Sequence, residues 1–97
     1  MLFALICNDK AGHLDVRMET RPDHVAYLNE LNEKGVLKIA GPFLDPDGKP
    51  CGSLVIVEAA DAETARTIAD GDPYAKAGLF ETVDIRPYNW VFNNPEA

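Results

Sequence analysis

Apolar residues fall in short blocks along the chain, parted by polar stretches rich in Gly, Pro, Asn and Asp. The first block, Leu2–Asn8, ends at Asn8-Asp9-Lys10 and predicts a buried strand. Its side chains alternate: Phe3, Leu5 and Cys7 point one way, Leu2, Ala4 and Ile6 the other. Both faces are apolar, so covering one with helices leaves the other in need of a partner. Asp9–Glu19 is polar and reads as a loop of about eleven residues, with at most a helical turn around Leu14–Met18. The spacing then turns helical over Thr20–Lys34, where His24, Tyr27, Leu28 and Leu31 form one stripe at about 100° per residue. Thr20 is placed to cap this helix, with Asp23 closing a capping box in place of the usual Glu. Pro22 suits a first turn and Gly35 a C-terminal stop.

Val36–Phe43 and Ser53–Glu58 predict two strands. They are joined through Pro42, an Asp45-Pro46-Asp47-Gly48 turn and Lys49-Pro50-Cys51-Gly52, and so form a β-hairpin. Asp61 opens a second helix with Glu63 in its first turn and a small apolar face of Ala62, Ala65, Ile68 and Ala69. That helix ends at Asp70-Gly71. Asp72-Pro73 then begins a short turn or helix through Ala77, closed by Gly78. Leu79–Arg86 is the fourth strand, with Val83 and Ile85 on one side and Thr82, Asp84 and Arg86 on the other. Pro87 follows, and then an aromatic tail, Tyr88-Asn89-Trp90-Val91-Phe92, which must pack on its own body or on a neighbouring subunit. The order β-α-β-β-α-β is that of the split βαβ, ferredoxin-like plait: an α+β fold with an antiparallel sheet and both helices on one face. The open face is apolar, and face-to-face homodimerisation covers such a surface.

Ninety-seven residues make one domain, 1–97, with the aromatic tail at 88–97. A net charge of −7 argues against nucleic acid or an anionic membrane as partner. It also requires that any anionic substrate be met by local Arg or Lys. No apolar run approaches the roughly 20 residues of a membrane span, and Leu2–Cys7 is too short and lacks the basic flank of a signal peptide. A cytoplasmic chain is expected. Cys7 and Cys51 are read as free thiols, the first in the core and the second in a loop. Phosphate-binding and dinucleotide-binding loops are missing, as are zinc-spaced Cys and His, so no cofactor and no metal is expected.

His24 draws attention because it lies on the inward stripe, one turn inside the expected helix start. The helix dipole there disfavours imidazolium. A neutral, half-buried imidazole is either a core histidine bonded to a backbone carbonyl or an acid–base group. Asp72 has the same two readings, as a plain cap of the short helix or as a carboxylate facing His24. In this fold a residue after the second helix comes near the first. Ser53, at a strand start beside Gly52, is a backbone-bonded hydroxyl or a substrate contact. A Ser-His-Asp hydrolase is disfavoured, because no Gly-x-Ser-x-Gly elbow exists. Arg17 and Arg21 flank His24 and suit a carboxylate or phenolate, and Tyr74 completes the substrate-binding candidates. His13 reads as a solvated loop residue.

Asp9-Lys10, Leu14, Arg17, Arg21-Pro22-x-His24, Leu28, Gly35-x-Leu37, Ala40-Gly41-Pro42, Gly52-Ser53, Asp72-Pro73-Tyr74, Gly78 and Pro87 occur in this order. In that order and spacing the chain resembles the YciI-like (YCII-related) proteins from Met1 to about Phe92. The resemblance implies a dimeric ferredoxin-like plait and an active site built on a His–Asp pair, matching His24 and Asp72. Ser53 and Arg17 match positions associated with the same pocket. The hairpin loop Leu44–Cys51 is shorter than in some members. One member is a dehydrochlorinase of chlorinated-aromatic breakdown, and the fold is similar to muconolactone isomerases and small monooxygenases. The expectation is a cofactor-free acid–base enzyme, a lyase or an isomerase, acting on a small cyclic organic acid or phenol. The alternative is a non-catalytic, dimeric ligand-binding or regulatory domain.

Overall fold

A computed structural model describes residues 1–96. The chain runs β1 (Leu2–Asp9), α1 (Leu14–Glu33), β2 (Leu37–Leu44), β3 (Pro50–Glu58), α2 (Ala62–Gly71), α3 (Pro73–Lys76) and β4 (Phe80–Tyr88). The four strands lie in the order β2-β3-β1-β4, each antiparallel to its neighbour. β3 is inserted between β1 and β2, as the split βαβ arrangement requires. The expected α+β, ferredoxin-like fold is what the chain adopts.

Strand register explains which residues are inside. Phe3 pairs with Val57, Leu5 with Val55 and Ile85, and Cys7 with Ser53 and Val83. These side chains share one face, and Ala65 and Ala69 of α2 pack into it with Leu28 of α1 alongside. The two alanines are small enough to let α2 lie close to the sheet. On the opposite face Leu2, Ala4, Ile6, Leu54 and Ile56 are joined by Ile39, which pairs with Ile56. That face keeps Ile39, Phe43 and Tyr88 well exposed. Gly52 sits where a Cβ would come within 2.5 Å of the Cys7 carbonyl oxygen, so the β1–β3 approach beside Ser53 needs glycine.

The start of the first helix differs from the sequence expectation. α1 begins at Leu14, not Thr20, and Pro22 lies inside it. The Arg17 amide donates to the His13 carbonyl, closing the first turn. The Thr20 capping box therefore does not form, and the polar connection after β1 shrinks to Lys10–His13. The physical reason is tertiary. Arg17 of the new first turns docks into a buried carboxylate, and this outweighs both the local cap and the hydrogen bond that Pro22 denies the helix. His24 is thus nearly three turns from the N-terminus, beyond the reach of the helix dipole. The inward stripe itself holds: Arg17, His24 and Leu31 are the buried residues of α1.

Smaller shifts follow from proline tolerance. β3 starts at Pro50, which puts Cys51 in a strand, and β4 continues through Pro87 to Tyr88. Proline is accepted at a strand's first residue and on an edge strand, and β4 is an edge. The tail packs only in part. Trp90 is half-buried and Glu96 pairs with Lys38 at 2.6 Å, while Val91 and Phe92 are exposed. Among the described residues no helix is long and apolar enough to cross a membrane.

Candidate active site

The α2–α3 junction places Asp72. Pro73 at the first position of α3 forces the preceding residue to be extended, and Asp72 obeys with φ −65° and ψ 129°. Its Oδ1 accepts the Tyr74 amide at 2.9 Å and so caps α3. The same carboxylate lies 2.8 and 3.0 Å from His24 Nδ1. Both readings of Asp72 therefore hold at once, and the cap locks the carboxylate that grips the ring. His24 and Asp72 are 8% and 6% exposed. An ionised carboxylate only accepts, so in a neutral ring facing it Nδ1 is the donating nitrogen and Nε2 the acceptor.

Tyr74 lies against the other groups. Its ring stacks on His24 with centroids 3.8 Å apart and planes 14° from parallel. The Arg17 guanidinium carbon is 4.6 Å from the same ring's centroid. Phe80 meets the ring edge-on at 6.1 Å. Arg17 and His24, two turns apart on α1, thus pack on one buried tyrosine. Burial pushes the Tyr74 phenol above its ordinary range.

Asp9, at the end of β1, is the residue that sequence reasoning missed. Its carboxylate takes Arg17 Nε at 2.7 Å and Nη2 at 3.0 Å, a two-pronged pair. Arg17 Nη2 also donates to Ser53 Oγ at 2.9 Å. Burial by itself pulls the Arg17 guanidinium down, but the bonds to Asp9 more than offset this and hold it above its ordinary value. Arg17 falls on the His24–Leu31 stripe only once the helix is extended back to Leu14, and an arginine so placed needs a buried carboxylate. Ser53 Oγ is bonded to Arg17, not to His24, so the site lacks the hydroxyl–imidazole contact of a serine nucleophile.

A cavity of about 270 Å³ opens beside these groups. Arg17, Arg21, His24, Ser53 and Tyr74 form its polar side. Met18, Val25, Leu28, Pro42 and Val55 form its apolar side. Asp72 stands behind the imidazole and does not line the cavity. Arg21 is exposed at the wall and carries no side-chain hydrogen bond or ion pair among the described residues. All six candidate residues except Asp72 therefore border one space, and Asp72 acts on it through His24. His13 lies outside it, bonded to the Ala11 carbonyl at 2.9 Å.

Cys7 is adjacent to the site but chemically silent. Burial pushes its thiol up to about 12, with the Asp72 and Asp9 charges adding to the shift. The unfolded chain ionises near the ordinary value of 9.0 while the folded chain stays protonated. Stability is thus full below pH 9 and falls as pH rises toward 12, by up to about 1.4 kcal/mol per unit. Urea unfolding between pH 8 and about 10.5 is expected to show this slope, flattened by Cys7→Ala. An equal slope in the variant contradicts the assignment.

Comparison with known proteins gives the family and the fold. The model of the YCII-related domain matches residues 1–89. Protein YciI of Escherichia coli O6:H1 is 39% identical over 98 residues, covering 95% of this chain and all of the relative. The "derivative of benzaldehyde biosynthesis cluster protein C" of Emericella nidulans is 35% identical over 75 residues, covering 70% of this chain and 76% of the relative. Among solved structures, 5-chloro-2-hydroxyhydroquinone dehydrochlorinase (TftG) of Burkholderia phenoliruptrix AC1100, in complex with 2,5-dihydroxybenzoquinone, superposes with a TM-score of 0.83 at 31% identity. The match covers 97% of this chain and 99% of that one. With a family model matching residues 1–89 and a 39%-identical relative over nearly its whole length, this chain belongs to the YCII-related family.

Proposed function

We propose that the chain is an acid–base enzyme catalysing elimination or isomerisation of a small cyclic phenol or organic acid. The observation that carries this reading is the bond from buried Asp72 to His24 Nδ1 at a cavity wall, which leaves Nε2 to take and return a proton. The similarity to the dehydrochlorinase supports a ring substrate bearing oxygens. Ser53 has an acceptor site filled by Arg17, so its own O–H is available to a substrate oxygen. Arg17 carries its charge to that oxygen through Ser53. Arg21, the uncommitted cation, holds a phenolate or carboxylate. The apolar side of the cavity receives the ring.

On 5-chloro-2-hydroxyhydroquinone the step balances as follows. His24 takes a proton from a ring hydroxyl and delivers it to the chlorine-bearing carbon. Chloride then leaves that carbon as a second hydroxyl proton goes to solvent, giving a quinone and net loss of HCl. Chloride release from this compound tests the reading. His24→Asn is expected to lower kcat by roughly 10²–10⁴-fold while the cavity persists. If the variant keeps full turnover, His24 is not the acid–base group; if the parent chain binds the compound and releases no chloride, the chain is the binding module instead.

The subunit is further inferred to work as a homodimer joined through its open sheet face. Ile39, Phe43 and Tyr88 are 38–41% exposed there, and Phe92 of the tail is 81% exposed. Large apolar side chains left exposed on a sheet face mark an interaction site. Light scattering is expected to give a dimer, and Ile39→Lys with Phe43→Lys a folded monomer. A monomeric parent chain contradicts this.

A further inference from the structure

The position of Asp72 opposite His24 also depends on how the end of α2 meets α1, and Tyr27 of α1 touches that end. Tyr27 lies one turn after His24 on α1. Its hydroxyl donates to the Ile68 carbonyl at 2.8 Å. Ile68 O is one of the last carbonyls of α2, which have no partner within the helix. Tyr27 therefore satisfies from outside a group that the helix end leaves open.

The fit is close on the other side as well. A Cβ on Gly71 would lie 2.6 Å from the Tyr27 hydroxyl and 3.3 Å from its ring carbon Cζ. With any larger residue at this position the phenol would have to shift away from the last turn of α2. Asp72 is the next residue. Ile68 O, Gly71 Cα and the Asp72 carboxylate, all at one helix end, thus meet Tyr27 and His24 on one face of α1. We propose that Tyr27 and Gly71 form a clamp that sets the distance between His24 and Asp72, and that Tyr27 is a positioning residue of this pair. A phenol is protonated at neutral pH, and burial raises the Tyr27 hydroxyl further.

The inference rests on His24 and Asp72 being the working pair, but its test reads the ring and needs no substrate. The probe is the ¹⁵N-coupled Nδ1–H signal of His24 in the full chain, followed together with thermal melting. Tyr27→Phe keeps the ring and removes the donor. The Nδ1–H signal is expected to move upfield and to exchange faster with solvent. Gly71→Ala is expected to disturb it more, by wedging α2 away from α1. In the Tyr27→Phe background Gly71→Ala is expected to add little, because the atom it strikes first is gone. If Gly71→Ala fails to fold, Tyr27→Phe decides alone. Variants that melt lower while the His24 signal keeps its position and exchange rate overturn the inference, since that is the mark of a merely structural contact. A parent chain that shows the expected His24 signal but turns over no substrate would instead count against the acid–base reading and leave the clamp standing.

Discussion

Asp72→Asn is expected to leave a folded protein that has lost as much as about 10⁴-fold in turnover, the size of loss the same change causes in a Ser-His-Asp triad. The two roles of Asp72 separate cleanly in this variant. Asn is as good an N-cap as Asp, so the bond to the Tyr74 amide survives and α3 stays in place. The grip on the imidazole does not. A carboxylate can only accept, which keeps the ring proton on Nδ1 and Nε2 free. An amide can turn its NH2 toward Nδ1 and leave the proton on Nε2, facing the cavity, where the ring can no longer act as base. Chloride release from 5-chloro-2-hydroxyhydroquinone and a melting curve on the same sample check both halves. Turnover close to that of the parent chain would remove Asp72 from the chemistry.

Asp9→Asn is expected to strike stability first. Asp9 and Arg17 are buried together, with side chains 7% and 5% exposed. Removing one charge strands the other in a poorly solvated place, which costs about 3–5 kcal/mol. Domains of this size hold roughly 5–15 kcal/mol in total, so the loss is a large fraction of it. Each kcal/mol is worth about 4–8 °C, and a fall in Tm beyond about 12 °C follows. The damage should spread to the site, because Arg17 releases Ser53 and loses its fixed place on the Tyr74 ring. Arg17→Met with Asp9→Leu, which deletes both charges, is expected to recover much of the stability without recovering function. A single Asp9→Asn variant as stable as the parent contradicts this account of the pair.

What could be read from the sequence follows the physics of each signal. The strands were legible because both faces of β1 and β3 are apolar and the turns carry Asp-Pro-Asp-Gly and Gly. α2 was legible because Asp61 does cap it, accepting the Thr64 amide at 2.8 Å. The first half of α1 was not. Its inward face carries Arg17, Thr20 and His24 in place of apolar residues, so the period that reveals an amphipathic helix is missing there. Thr20 and Pro22 then imitate a helix start. His24 and Asp72 were nonetheless paired correctly in space, since the plait topology, not the helix boundary, brings them together. The role of Asp9 in the site is not legible, because the end of a strand followed by Lys10 and Gly12 looks like a turn. Its partner Arg17 lies in a stretch that reads as a loop.

The most direct measurement is the ¹⁵N spectrum of the His24 ring at neutral pH, repeated with Asp72→Asn. The account expects one tautomer in the parent chain: Nδ1 protonated and bonded to Asp72, Nε2 bare and responsive to added 2,5-dihydroxybenzoquinone. It expects that preference to be lost in the variant. A ring that is protonated on Nε2, or that ignores both the variant and the ligand, would contradict the claim that Asp72 prepares His24 as a base.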